Sequence, residues 1–275
     1  MKIDAHQHFW KYDPVKGAWI SDDMKIIRQD FLPIDLKSIL DEHAIDGCVA
    51  VQADQSVAEN DFLLGLAEQY PFIKGVVGWV DLKATDLGNQ LDQYSEYDKL
   101  KGIRHVIQIE PDGFMMDPKF IEGVSQLNQY GLTYDILTVE RQLEEAVKFV
   151  DSLPEMKLVI DHISKPNIAE SSFDHWAKYM KEMSKRQNVY VKLSGMITEA
   201  NWDSWDAGTL EPYVDFCLEQ FGADRLMYGS DWPVCLVAGE YKEMRSALET
   251  CLTKLSTSEQ NQIFGLTATD FYNLA

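Results

Sequence analysis

Two histidines one residue apart end the first strand-like stretch of the chain. Positions 1, 3 and 5 are apolar, and His6 and His8 follow directly. Side chains two residues apart share one face of a strand, so we expect both imidazoles to point the same way. Such a pair can hold one metal ion or share one substrate oxygen. The pattern also fits two solvated histidines near a terminus, so partners further along the chain must decide.

Two further titratable residues follow strand-like stretches much later in the sequence. His162 stands in Ile-Asp-His-Ile-Ser-Lys-Pro, and Asp231 stands in Tyr-Gly-Ser-Asp-Trp-Pro. Each has a plainer interpretation, because Asp231 could cap a turn and His162 could be bonded to backbone. Convergence with His6 and His8 would assemble three imidazoles and a carboxylate, which is a set suited to acid–base catalysis or to metal binding.

Two more candidates lie inside strand-like stretches. Arg104 and His105 are neighbours in the sequence, so only one of them can face a barrel interior, and we favour Arg104. The alternative for Arg104 is a salt bridge on the barrel wall. Tyr134 is a candidate for the same interior, with core packing as its alternative.

The elements that must position these residues alternate between strand-like and helix-like along the whole chain. Most strand-like stretches are apolar, aromatic or β-branched with little alternation, which is typical of strands buried on both faces. They cover residues 2–5, 47–52, 73–80, 102–108, 132–136, 158–160, 189–193 and 226–229. Helical patterns cover residues 34–43, 59–69, 86–97, 118–130, 142–153, 173–187, 210–221 and 241–255, and a capping box at Ser256 to Glu259 opens a further short helix.

Eight strands, each followed by a helix, predict an α/β fold of the (β/α)8 TIM-barrel type in a single domain over residues 1–275. In such barrels the catalytic residues sit at the C-terminal strand ends, where the candidates above lie. A doubly wound open sheet is the alternative, but it usually offers a Gly-rich turn after its first strand. This chain has histidines there.

The connection after the first strand, residues 9–33, is unusually long. It carries Trp10, Tyr12 and Trp19. Connections of this length are usually lids or binding loops, or else disordered. The aromatic residues favour an ordered lid over the catalytic end of the barrel.

The composition excludes several classes of partner. The chain has 275 residues and a net charge of −20, which disfavours nucleic acid and anionic membrane surfaces. It has no signal-peptide pattern and no apolar run that approaches a membrane span. The four cysteines show no disulfide or metal framework, as is typical of reduced thiols. We therefore expect a cytoplasmic protein.

Several motifs together resemble a known superfamily. The His-x-His of the first strand and Asp231 after the last strand resemble the amidohydrolase superfamily. Residues 75–82, 99–106, 134–137, 161–166, 192–200 and 226–235 resemble its "amidohydrolase 2" branch, which contains sugar lactonases. The resemblance spans nearly the whole chain. It implies a distorted (β/α)8 barrel of the metal-dependent hydrolase type and hydrolysis of a cyclic ester.

The metal complement departs from the superfamily pattern. Members with two metals add a histidine after strand five, where this chain has Tyr134-Asp135-Ile136. A binuclear site is therefore not expected. One divalent ion, zinc by its ligand preference, remains open on His6, His8 and Asp231. Lactonases of this branch work without a required metal, so the resemblance equally implies no cofactor.

The resemblance also implies roles for the candidates. Asp231 would be the general base, with a pKa raised by partial burial, and the carbonyl would be polarised by the histidines with Arg104 or Tyr134. The substrate would be a sugar lactone, L-fuconolactone or a similar aldonolactone. The residues expected to contact its ring and hydroxyls are Trp232, Lys165, Glu199, Gln52 and Trp19.

Two rival functions stay open at this point. A related branch of the superfamily uses the same strand-one and strand-eight residues for metal-dependent decarboxylation of a small aromatic or unsaturated acid. A non-catalytic sugar-binding protein is the other rival, and the intact histidines and Asp231 argue against it. The sequence leaves a homo-oligomer open.

Overall fold

Eight parallel strands form one sheet in chain order, each pairing with the next. The computed structural model describes residues 1–275. The strands are β1 Ile3–Gln7, β2 Gly47–Val51, β3 Ile73–Gly78, β4 Leu100–His105, β5 Thr133–Ile136, β6 Leu158–Ile160, β7 Val189–Leu193 and β8 Leu226–Tyr228. This order confirms the predicted (β/α)8 barrel, since parallel neighbours require a crossover between every pair.

A helix follows every strand and covers the outside of the sheet. The helices are α1 Pro33–Glu42, α2 Val57–Gln69, α3 Leu87–Ser95, α4 Pro118–Gln126, α5 Leu143–Asp151, α6 Asp174–Ser184, α7 Ala207–Phe221, α8 Tyr241–Cys251, α9 Thr257–Asn261 and α10 Thr267–Phe271. The capping box predicted at α9 is present, because the backbone N–H of Ser256 donates to the Glu259 carboxylate at 2.8 Å. No helix is both long enough and apolar enough to cross a bilayer.

The barrel closes through residues that follow β8 rather than through β8 itself. The backbone N–H of Asp231 donates to the carbonyl of His6 at 2.8 Å, and that of His8 donates to the carbonyl of Trp232 at 2.7 Å. The seam therefore holds Asp231 directly beside the two histidines of β1.

A β-bulge turns the end of β1. The pairing register with β2 shifts between Asp4 and Gln7. Ile3 and Ala5 pack into the apolar cluster that fills the lower barrel with residues of α10, whereas the Gln7 amide donates to the Cys48 sulfur at 3.3 Å. A bulge adds a residue to one strand and re-aims the side chains after it. Here it directs the histidines into the lumen above the apolar cluster.

The long connection after β1 folds back over the upper end of the barrel. Trp10 and Phe31 form an isolated antiparallel bridge, with backbone N···O distances of 3.0 and 2.9 Å. A 3-10 helix, Asp22–Ile27, lies between them. The two ends of the loop are thereby joined above β1.

Candidate active site

A cavity of about 280 Å³ opens at the C-terminal ends of the strands. Its size lies near the lower limit for small-molecule sites. The residues that line it are His8, Trp10, Lys16, Trp19, Ala53, Asp54, Gln55, Arg104, Val106, Gln108, Ile109, Leu137, His162, Lys165, Asp231 and Val234. The lid predicted for residues 9–33 thus supplies Trp10, Lys16 and Trp19 to the wall.

Three imidazoles converge on one carboxylate oxygen at the floor of this cavity. The Oδ1 atom of Asp231 lies 3.4 Å from the Nε2 atom of His8 and 3.8 Å from the Nε2 atoms of both His6 and His162. The Nε2 atoms of His6 and His8 are 3.2 Å apart. The structure therefore brings together the four residues that the sequence analysis placed at the ends of three different strands.

His6, His8 and Asp231 lie near the spacing of a tetrahedral zinc site. Ligand atoms with zinc bonds of about 2.0–2.1 Å lie about 3.3–3.4 Å apart. The three donor atoms here are 3.2, 3.4 and 3.8 Å apart. The Nδ1 atom of His8 lies 2.8 Å from the carbonyl oxygen of Val51. A carbonyl only accepts, so Nδ1 carries the proton and Nε2 keeps the lone pair that a metal needs. The donor set fits one divalent ion.

His162 reaches the cavity from a left-handed turn. Four consecutive residues after β6, His162 to Lys165, have φ between 46° and 61°. Each such residue costs about 1–2 kcal/mol because Cβ approaches the following carbonyl, and a β-branched residue such as Ile163 is disfavoured most. Strain of this kind persists only where surrounding contacts hold it.

Three side-chain contacts hold that turn. The indole N–H of Trp176 donates to the Ile163 carbonyl at 2.6 Å, and the hydroxyls of Ser164 and Thr138 are 2.6 Å apart. The Nδ1 atom of His162 lies 2.9 Å from the Ser194 hydroxyl. The imidazole also packs against Gly195, where a Cβ would lie 2.5 Å from Nδ1, so only glycine fits beside the ring.

The pKa of Asp231 differs from expectation, and the pKa of the neighbouring His162 is also shifted. Burial alone would raise the pKa of Asp231, but the imidazoles of His162, His8 and His6 outweigh burial and hold that pKa below its usual range. The predicted raised pKa of Asp231 is therefore wrong, since partner groups surround its carboxylate instead of apolar walls. Burial lowers the pKa of His162 to about 4, against the pull of nearby carboxylates, so this imidazole is neutral at pH 7.

Arg104 faces the lumen and His105 faces outward, as favoured from the sequence. The Arg104 guanidinium lies 3.1 Å from the Asp161 carboxylate and 3.4 Å from Nε2 of His6. His105 stacks on Phe114 outside the sheet, with ring centroids 5.1 Å apart. Strand alternation accounts for the opposite directions.

A buried ionic network lies beneath the histidines, and the sequence analysis did not select its members. The Nζ atom of Lys192 lies 2.6 Å from Asp135, 2.9 Å from Asp161 and 3.1 Å from Nδ1 of His6. The Tyr272 hydroxyl donates to Asp135 at 2.7 Å. Lysine inside the apolar β7 stretch Val-Tyr-Val-Lys-Leu is the one sequence signal that could have revealed this network.

Three predicted site residues, Tyr134, Trp232 and Gln52, lie away from the cavity. Tyr134 points outward and packs against Phe120 and Phe149, because its neighbour Asp135 takes the inward position. Its ring is part of the core and does not reach a carbonyl in the cavity. Of Arg104 and Tyr134, only Arg104 lines the cavity.

Trp232 and Gln52 are likewise corrected by the structure. Trp232 is buried between Phe9 and Phe31, with centroid distances of 6.2 and 5.2 Å, and so cannot stack on a ligand. Gln52 is fully buried, and its carbonyl accepts from the Arg104 guanidinium at 2.5 Å. Gln52 therefore orients Arg104 and does not contact a substrate.

The remaining predicted contacts lie at the mouth. Trp19 and Lys165 line the cavity, and the Trp19 side chain is exposed there. Glu199 lies just outside and pairs with Lys165 at 3.2 Å. Gln108, which the sequence analysis did not select, presents a side-chain amide whose buried Oε1 atom has no partner.

Fold and site together define a (β/α)8 protein of the hydrolase type with a histidine–aspartate centre. The chain matches the amidohydrolase family over residues 3–274. It belongs to that family.

Relatives that align over the full length of the chain include enzymes of one chemical class, the lactonases. The chain is 37% identical to an L-fucono-1,5-lactonase of Burkholderia multivorans, with 100% of this chain and 96% of that protein aligned. It is 34% identical to an L-fucono-1,5-lactonase of Burkholderia ambifaria over 99% of this chain and 96% of that protein. A crystal structure of an amidohydrolase from Burkholderia multivorans with bound zinc superposes with a TM-score of 0.97 at 38% identity, covering 100% of both chains.

Proposed function

We propose that this enzyme hydrolyses a sugar-derived lactone, L-fuconolactone or a similar aldonolactone, to its open-chain hydroxy acid. The observation that carries the proposal is the convergence of three imidazole Nε2 atoms on the Asp231 carboxylate at the floor of a cavity the size of a small ligand. The full-length similarity to two lactonases supports the same chemistry.

In this proposal Asp231 directs the attacking water. Its lowered pKa keeps it ionised throughout the neutral range, so it always accepts a hydrogen bond from water. The water oxygen attacks the lactone carbonyl as its proton moves to Asp231, with neutral His162 as the neighbouring base. The ring C–O bond then breaks, the departing alkoxide takes the proton held by Asp231, and the carboxylic acid formed releases its own proton to solvent.

Arg104 stabilises the negative charge that develops on the carbonyl oxygen. Its guanidinium lines the cavity, is 4% exposed, and is fixed by Gln52 and Asp161. A preorganised cation in a water-poor site stabilises an oxyanion without reorganisation during the reaction. The lysine network beneath it fixes the ring of His6.

His6, His8 and Asp231 would hold a divalent ion, zinc by their donor types. Such an ion supplies Lewis-acid polarisation of the carbonyl and lowers the pKa of water. The enzyme is proposed to act in the cytoplasm, in keeping with four buried cysteines that form no disulfide. No specific observation favours a decarboxylase or a non-catalytic sugar-binding protein.

The proposal is tested with a panel of sugar lactones and a pH indicator. We expect acid release from L-fuconolactone or a close aldonolactone, and no carbon dioxide release from aromatic acids. Parallel assays after chelation and after zinc addition measure the dependence on metal. Absence of acid release from every lactone, with or without zinc, would refute the proposed function.

A further inference from the structure

Every lysine and arginine side chain at the cavity is paired with a carboxylate. Lys16 pairs with Asp54 at 2.7 Å, and Lys165 pairs with Glu199 at 3.2 Å. Arg104 at the floor pairs with Asp161 at 3.1 Å, as described above. The site therefore offers no unpaired cation to a substrate that carries a carboxylate.

The two lysine pairs lie on opposite walls at the mouth. Lys16 comes from the loop after β1, and its partner Asp54 comes from the loop after β2. Lys165 is the last residue of the left-handed turn after β6, and Glu199 follows β7. The acidic partners are about three-quarters buried, with side-chain exposures of 27% for Asp54 and 26% for Glu199. Partial burial keeps their charges from being fully screened by solvent.

The surroundings of the Lys165 pair supply no further free cation. His175 pairs with Glu140 at 3.4 Å, and Arg141 pairs with Asp112. A substrate carboxylate near Lys165 would thus have to displace Glu199 or lie beside it, and like charges at that separation repel.

The same ion pairs can bind an uncharged sugar ring without repulsion. A hydroxyl both donates and accepts, so it can donate to a carboxylate while it accepts from the neighbouring ammonium. Each lysine–carboxylate pair therefore complements a hydroxyl without giving up its own contact. Gln108 adds an amide of the same dual character.

We propose that Glu199 and Asp54 are specificity-determining residues that select uncharged lactones and exclude lactones that carry a carboxylate. The inference rests on the proposed lactone hydrolysis and adds the charge class of its substrate.

The test compares lactones that share a ring and differ only in charge. Aldono-1,4-lactones end in a hydroxymethyl group, and the corresponding aldaro-1,4-lactones end in a carboxylate. For each hydrolysed series among the galacto, gluco and manno configurations, we expect the wild-type kcat/KM to be at least tenfold higher for the neutral lactone. In Glu199→Gln, which frees Lys165, this ratio should fall at least threefold, chiefly through a lower KM for the acidic lactone.

Asp54→Asn should shift the ratio in the same direction by less, because the Lys16 side chain is 51% exposed and more strongly screened. Glu144→Gln is the matched control, since it removes the partner of Lys148 on the outer surface of α5 and should leave the ratio unchanged.

The outcomes separate the two proposals. Similar wild-type kcat/KM for neutral and acidic lactones would overturn the charge inference and leave lactone hydrolysis intact. An unchanged ratio in folded Glu199→Gln would overturn the assignment of Glu199. No hydrolysis across all series, including L-fuconolactone, would overturn the proposed function and this inference with it.

Discussion

At the scale of single residues, the site depends on one carboxylate held among three imidazoles. Asp231 has φ 58°, a left-handed conformation that a non-glycine residue adopts at a cost. Its backbone N–H donates a hydrogen bond to the carbonyl of His6. The closure of the barrel therefore determines where the Asp231 side chain lies. The positions of its neighbours, more than its burial, decide that it stays ionised.

Asp231→Asn should lower kcat by about 100-fold or more, because the amide cannot accept the water proton. The side chain keeps its shape, so KM and the thermal unfolding midpoint should change little. Steady-state kinetics with a lactone and circular-dichroism melting measure both. Turnover within a few-fold of wild type would contradict the assigned role.

Lys192→Met should destabilise the fold by about 3–5 kcal/mol, because it leaves the Asp135 carboxylate buried without its cation. Urea unfolding measures the loss. Lys192→Met combined with Asp135→Asn should recover part of it, since the amide can still accept from Tyr272. A loss below 1 kcal/mol in the single variant would show that the network is not ionic.

At the scale of elements, the left-handed turn after β6 is the feature with the least favourable backbone conformation. It presents His162 and Lys165 to the cavity from consecutive residues of unfavourable conformation. Trp176 on α6 reaches across to the Ile163 carbonyl and so ties the helix to the turn. Helix α6 therefore stabilises the turn that carries His162, although the helix itself does not line the cavity.

Trp176→Phe should lower kcat several-fold while the protein stays folded, because the Ile163 carbonyl loses its donor and the His162 ring loses its fixed position. Kinetics and thermal melting measure the two effects. Trp205→Phe is the control, since its indole donates to the Ala238 carbonyl at 2.7 Å away from the turn. Equal effects of both variants on kcat would contradict a positioning role for Trp176.

At the scale of the whole molecule, a buried acid joins the first and last strands. Asp4 accepts from the Ser230 N–H at 2.9 Å and from the Tyr241 hydroxyl at 3.1 Å. Burial raises the pKa of Asp4 to about 6, despite these opposing hydrogen bonds. The folded chain thus binds this proton more tightly than the unfolded chain, whose aspartate titrates near 3.8. Its contribution to stability is full below pH 3.8 and is lost as pH rises through 6.

Asp4→Asn should therefore gain stability relative to the wild type as pH rises. Between pH 5 and 7.5 we expect the difference in unfolding free energy to move by about 1 kcal/mol in favour of the variant. The asparagine can keep the bonds to Ser230 and Tyr241, so the fold is preserved. Urea unfolding at both pH values measures the shift, and a constant difference would contradict the raised pKa.

Much of the fold could be predicted from local pattern. Buried parallel strands read as short apolar runs, and the eight runs predicted here coincide with the eight strands to within a few residues. The four residues at the centre of the site, His6, His8, His162 and Asp231, could also be predicted from the sequence. All four follow strands, and the strand ends of a barrel meet at one rim. The choice of Arg104 over His105 followed from strand alternation.

The positions that prediction missed depend on contacts between distant parts of the chain. Alternation could not say which face of β5 is inward, so Tyr134 was placed in the lumen that Asp135 occupies. Trp232 was expected at the ligand because it adjoins Asp231, but Phe9 and Phe31 from the first loop bury it.

The sequence by itself determined the barrel and the set of groups at its rim, because strand length, apolar pattern and strand-end chemistry are local properties. Only the tertiary structure decided the ionisation of Asp231, the lysine network under His6 and the pairing of Lys165 with Glu199. Those depend on charges far apart in sequence that the closed barrel brings within a few ångströms, where burial and mutual attraction outweigh the intrinsic preference of each residue.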